Sequence, residues 1–222
     1  MQPVIHGLDT LAHAAVQLHV ATPAAPLPPP HPPVAWIVAA NGLFKRGVGA
    51  NVDVLIRVTR TPFPIPHLCL LTPRVIFRGI GRRLPAVLLV EAYFAATLAV
   101  TVEHGELLLR ERQFHVVLRD GQPVLCIPPQ TATAHSVSYS MPTEPMLLDL
   151  HSHGLLPPFF SATDDADDQG LGVSAVIGSL SRTPAIVARL NVYGHHQRVR
   201  AADLFDGPLT FHDGGDRAPD RA

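Results

Sequence analysis

The chain is short of cysteine, of charge and of any addressing signal, and each shortage excludes something. Only 2 of its 222 residues are cysteine, Cys69 and Cys126. Two cysteines build no disulfide framework, which points to a reducing compartment, read here as the cytoplasm. Against 13 histidines they also turn any search for a metal site towards imidazole and carboxylate ligands. Charged residues are 16% of the chain, the formal net charge is −1, and no basic run stands out, so nothing argues for a nucleic-acid partner. Residues 1–20 have no basic start and are interrupted by Asp9 and His13, a poor signal peptide. The most apolar stretch, 84–102, contains Pro85 and Glu91, and reads as a buried helix rather than a membrane span. What the chain does have is 47% hydrophobic residues, enough for one domain with a real core and an extension.

Punctuation by proline and glycine gives the coarse organisation. Residues 1–20 are expected to hold a short helix. Residues 21–34 carry seven of the 23 prolines and read as an extended linker or wrapping arm without packing of its own. Strands are expected at 35–40 and 43–46, around an Asn41-Gly42 turn, then at 52–58, 68–71 and 74–77. A long helix, apolar on nearly every side, is expected from Pro85 to about residue 102 and ends at His104-Gly105. Further strands fall at 106–109, 114–118, 124–127, 136–139, 146–150, 173–180, 185–193 and 197–200, with an Asp120-Gly121 hairpin among them. Strands around one long helix imply an α/β (α+β) fold with a mixed sheet.

Chemistry concentrates at Asp149-Leu150-His151-Ser152-His153-Gly154 and at Ser161-Ala162-Thr163-Asp164. Residues two apart on a strand face the same side, so His151 and His153 can meet one metal ion. Asp164 returns a carboxylate after a short loop. Two imidazoles and one carboxylate leave a fourth zinc position open for water, as catalytic sites do. A plainer reading also fits the second half: Ser161 as a helix N-cap, with the acidic run 164–168 as a solvated helix start. The pair His195-His196 reads as a solvated turn, and His115 and His135 as ordinary strand residues.

The pattern His-Ser-His, a spacer, then Ser-x-x-Asp resembles the JAMM (MPN-type) zinc metalloproteases, which include deubiquitinating isopeptidases. The wider stretch 148–168 resembles the bacterial PRTRC system protein A group, whose neighbours include a ThiF-related activating enzyme. The resemblance implies a cytidine-deaminase-like core, Zn²⁺ held by His151, His153 and Asp164, and an oxyanion hydrogen bond from Ser161. It also implies an upstream glutamate as general base. Glu103, Glu106 and Glu111 are the candidates, and Glu106, opening an apolar run directly after the helix, is preferred. Two features depart from the family: Gly154 stands where a proline is usual, and residues 107–110 lack the usual glycine. On this basis the chain divides into a proline-rich segment at 1–33, a β-rich extension at 34–81, a JAMM-like domain at 82–213 and a tail, read as disordered, at 214–222.

The expected activity is hydrolysis of a peptide or isopeptide bond in a protein substrate, such as a ubiquitin-like protein, with no nucleic acid or membrane involved. The alternative is a JAMM-fold scaffold that binds such a partner without cutting. Amidohydrolase and PHP barrels also open on such a histidine pair, but the 71 residues after His151 are too few for the remaining barrel. No Pro-Cys-x-x-Cys follows, which excludes a zinc nucleobase deaminase.

Overall fold

The computed structural model of the chain describes residues 17–31, 33–103, 106–133 and 136–214, and of residues 103, 106 and 107 the backbone alone. The readings made for 1–16, for the His104-Gly105 helix end, for His135 and for the tail from 215 lie outside the described residues. A first sheet of five strands runs β1 (Gln17–Val20), β2 (Val34–Ala39), β3 (Gly42–Val48), β4 (Val52–Thr59) and β5 (Arg74–Phe77), in that spatial order. β1 and β2 are parallel, and the proline-rich stretch makes the return between them. It is not free of packing, contrary to expectation: Ala21 and Pro28 are buried, Leu27 lies against a small core, and the Pro28 carbonyl accepts from Arg46 Nη1 at 2.6 Å.

The first hairpin forms as its turn residues imply, shifted by one. Ala40 and Asn41 make the turn, and Gly42 already pairs with Ala39. Gly42 answers a different need. The β3–β4 register shifts beside it, and a Cβ at this position would stand 2.1 Å from the Thr59 carbonyl oxygen. The strand expected at 68–71 does not form. Its backbone groups bond elsewhere: Leu71 N–H and C=O to the Asn41 side chain at 3.0 and 2.8 Å, and Cys69 N–H to Ala21 at 2.7 Å.

The rest of the chain runs β6 (Leu84–Pro85), α1 (Ala86–Thr97), β7 (Val100–Glu103), β8 (Glu106–Leu109), β9 (Arg112–Arg119), β10 (Gln122–Cys126), β11 (Gln130–Ala132), β12 (Val137–Tyr139), β13 (Met146–Ser152), α2 (Ala162–Asp167), β14 (Leu171–Gly178), β15 (Ala185–Val192), β16 (His195–Val199), α3 (Ala201–Leu204), β17 (Phe205–Asp206) and β18 (His212–Asp213). The long helix is a correction. α1 has 12 residues, with Pro85 at its N-cap, and the β-branched run Val100-Thr101-Val102 leaves it as a strand paired with β8. Nor is it apolar-covered all round: Leu88, Leu89, Ala92 and Ala96 are buried, while Val87, Phe94 and the C-cap residue Leu98 are exposed. The result is α+β, mixed sheets with short helices. Among the described residues no helix is long and apolar enough to cross a membrane.

The second sheet is ordered β10-β9-β13-β14-β15-β16, with β18 beside β15. Only the β13–β14 and β15–β18 pairs are parallel. Asp120 and Gly121 take positive φ (51° and 73°), the two left-handed residues a tight hairpin needs between β9 and β10. One side of the sheet presents Phe114, Val116, Leu148, Leu150, Ala175, Ala188 and Leu190 to a core shared with α1 and with Val54, Ile56 and Phe77 of the first sheet. A polar seam joins the sheets at the same interface. Buried Lys45 donates to the Tyr193 carbonyl at 2.8 Å and meets His195 Nδ1 at 3.2 Å, and the Trp36 ring packs edge-on to His195 at 5.3 Å. His195 and His196 therefore open β16 instead of forming a solvated turn, and His196 Nδ1 lies 3.0 Å from Asn191 Oδ1.

Candidate metal centre

Alternation along β13 sorts its side chains by chemistry. Leu148, Leu150 and Ser152 turn to the interior, and Ser152 Oγ accepts the Arg112 N–H at 3.1 Å. Asp149 and His151 turn the other way, and His153 follows just beyond the strand, its N–H still bonded to the Ile177 carbonyl of β14 at 2.8 Å. On the antiparallel neighbour β9, Gln113 is opposite His151 and His115 opposite Asp149. Glu111, two residues before Gln113, continues that row onto the same cavity wall.

His151 Nε2 and His153 Nε2 lie 3.1 Å apart, and Asp164 Oδ1 is 3.6 Å from His151 Nε2. One atom from each residue falls within 4.8 Å of the others. Ligand atoms about 2.0–2.1 Å from a tetrahedral zinc are about 3.3 Å from each other, so these separations fit that ion. His153 Nδ1 is buried without a hydrogen-bond partner, and the Phe159 ring stands edge-on to the imidazole at 4.5 Å. Burial pushes His151 down to about 4, opposed by the Asp164 carboxylate, and lowers His153 for the same reason. Both imidazoles are thus neutral near pH 7, the form that ligates.

Asp164 is set by local helix chemistry. Ser161 caps α2, and Asp164 at the third helical position completes a capping box. Asp164 Oδ2 accepts from the Ser161 N–H at 2.6 Å and from Ser161 Oγ at 2.7 Å, which leaves Oδ1 turned to His151. The cap reading and the ligand reading are therefore one arrangement: the cap aims the carboxylate. Gly154 turns the chain out of β13 with φ +56°, and a Cβ there would stand 3.0 Å from the Leu109 carbonyl oxygen. Proline, whose ring fixes φ near −65°, does not fit this turn. Gly154→Ala is expected to cost about 1–2 kcal/mol, the left-handed penalty for a side chain, read as a lower melting temperature.

The cavity over these groups has a volume of about 280 Å³ and is walled by Glu111, Tyr139, Asp149, Phe159, Ser161 and Asp164 among others. Burial and then the Asp164 carboxylate push Glu111 up to about 7. Burial also pushes Asp149 up to about 7, despite a short hydrogen bond from the Gln113 amide. The preferred Glu106 sits at the tip of the β7–β8 hairpin opposite Glu103, and the side chains of both lie outside the described residues. The sequence places Asp149 in the motif without a role and gives no signal for Gln113 or Arg189. Two-residue periodicity from His151 does single out Asp149, whereas Gln113 and Arg189 need the sheet register.

No curated protein matches the chain. Residues 90–191, from within α1 nearly to the end of β15 and including Glu111, His151, His153, Ser161 and Asp164, are similar to the prokaryotic homologs of the JAB domain.

Proposed function

We propose that the protein is a zinc-dependent peptidase or isopeptidase, with His151, His153 and Asp164 as the metal ligands and Glu111 as the general base. The observation that carries the reading is the convergence of two neutral imidazoles, one aimed carboxylate and a raised glutamate on one cavity. Zinc in this donor set supplies Lewis acidity, which makes water a nucleophile near neutral pH. Glu111 takes a proton from the attacking water and passes it to the leaving nitrogen as the C–N bond breaks. Burial, the first cause of the raised Glu111 carboxyl, persists with a metal bound and suits both transfers by bringing the base and its conjugate acid closer in strength. Ser161 has one hydroxyl proton, and it is given to Asp164. Service to an oxyanion requires that bond to be released, with the Ser161 N–H left to hold Asp164 Oδ2.

A larger cavity of about 610 Å³ supports an extended polypeptide substrate. It shares Tyr139, Asp149, Asp167, Asp168 and Ser174 with the metal cavity, and among the described residues no Lys or Arg lines either one. The narrower reading, a ubiquitin-like substrate in a PRTRC-type system, rests on the phrase 148–168 and on the company such proteins keep, which is analogy rather than site chemistry.

Metal analysis of the purified chain is expected to give about one zinc per molecule. Hydrolysis of fluorogenic peptides or lysyl isopeptide conjugates should then be lost on chelation and restored by Zn²⁺. A chain that binds no zinc overturns the reading. Zinc without hydrolysis of either class leaves the scaffold alternative.

A further inference from the structure

We infer that Arg189 is a positioning residue that holds the ligand-bearing helix α2 against the sheet, so that Asp164 stays in reach of His151 and His153; the inference rests on the zinc reading above. The need for such a residue follows from α2 itself. It is six residues long and has no buried residue, so apolar packing does not hold it. Four aspartates, 164, 165, 167 and 168, crowd its length and repel one another. Yet the carboxylate of Asp164 must be fixed relative to β13, from which only the irregular stretch 153–161 leads to α2.

Arg189 meets that need from β15, two strands over from the histidines in the same sheet. Its side chain is only 4% exposed. Nη2 donates to the Asp164 carbonyl at 2.9 Å and to Asp168 Oδ2 at 2.8 Å, Nε donates to Asp168 Oδ2 at 3.1 Å, and Nη1 makes a short bond to Asp165 Oδ1. The guanidinium carbon lies 3.9 Å from the centre of the Phe160 ring. One planar group therefore grips the acidic side of α2, one of its backbone carbonyls and the residue just before its cap. Lysine is a point charge on a flexible stem and cannot reproduce that fork.

The sign of the effect separates positioning from plain electrostatics. Arg189 is a cation near a cation site, so removing its charge alone should tighten zinc binding. Loss of positioning should weaken it. In the full-length protein, Arg189→Met is expected to weaken Zn²⁺ affinity about 10- to 100-fold by chelator competition, the usual range for an outer-shell partner. Arg189→Lys, which keeps the charge and loses the fork, should also weaken it. Co²⁺-substituted Arg189→Lys should show a visible spectrum displaced from that of the wild type, which a loss of global stability alone does not produce. Where Arg189→Met does not fold, Arg189→Lys decides. If wild-type protein binds zinc and Arg189→Lys binds it within twofold, or Arg189→Met binds more tightly, the positioning role is overturned. If wild-type protein binds none, the zinc reading fails first and takes this inference with it.

Discussion

Glu111→Gln is expected to keep zinc bound and to lower hydrolysis about 10²- to 10⁴-fold, the usual worth of a general base. Glu106→Gln is expected to leave turnover at the wild-type level. The difference comes from sheet register. β9 and β13 are antiparallel with Arg112 opposite Ser152 and Gln113 opposite His151, so the residue before Arg112 arrives beside His153. Glu111 N–H is bonded to the Thr133 carbonyl at 2.9 Å, which anchors the backbone at the point where β9 enters the sheet. Glu106 belongs to a separate two-stranded hairpin, three residues beyond Leu109, the residue that touches Gly154. Glutamine is the informative replacement because it keeps size and hydrogen bonding while removing the basic oxygen. Retained zinc with full turnover in Glu111→Gln, or a collapse of turnover in Glu106→Gln, transfers the role to another residue.

The proposed ligands are local in the sequence and the proposed base is not, for a physical reason. His151, His153 and Asp164 lie within 14 residues, and their arrangement is fixed by two local rules, strand alternation and the capping box. Glu103, Glu106 and Glu111 are separated by what the chain does between them. Glu103 and Glu106 pair with each other in the β7–β8 hairpin, whereas long-range pairing of β9 with β13 brings Glu111 to the metal cavity. Arg189 lies 25 residues from Asp164 and carries no local signature at all. The same division runs through the fold. The Asp120-Gly121 hairpin and the strands around it follow from turn chemistry, while the end of α1 was misplaced by several residues because an apolar composition serves helix and strand alike. There the β-branched run at 100–102 was the usable signal. Gly42 looked like a turn residue, but a close approach to Thr59 explains it, and that approach exists only once β4 has paired.

The second large effect expected is on stability, and it tests the ligand set without any substrate. Zinc that binds only the folded chain should stabilise it by about 4 kcal/mol at a thousandfold excess over its dissociation constant. For a chain of this size that is a rise in melting temperature of about 8–16 °C, removed by a chelator. Asp164→Ala should abolish the zinc-dependent rise. It should also lower the metal-free melting temperature, by a smaller amount, because the capping box at Ser161 goes with it. That loss is about 1 kcal/mol, or about 2–4 °C. The two effects separate cleanly in Ser161→Ala, which removes the hydroxyl bond to Asp164 Oδ2 and keeps every ligand atom. That variant should lose the small cap increment while retaining a zinc-dependent rise. The rise should nevertheless be weaker than in the wild type, since Asp164 is then aimed by a single N–H. A full zinc-dependent rise in Asp164→Ala would remove the carboxylate from the ligand set. The imidazoles support the same asymmetry: burial keeps both neutral, so the metal displaces no proton from them, and the carboxylate is the one ligand that brings negative charge to the ion. Its removal therefore costs more than one donor atom in three.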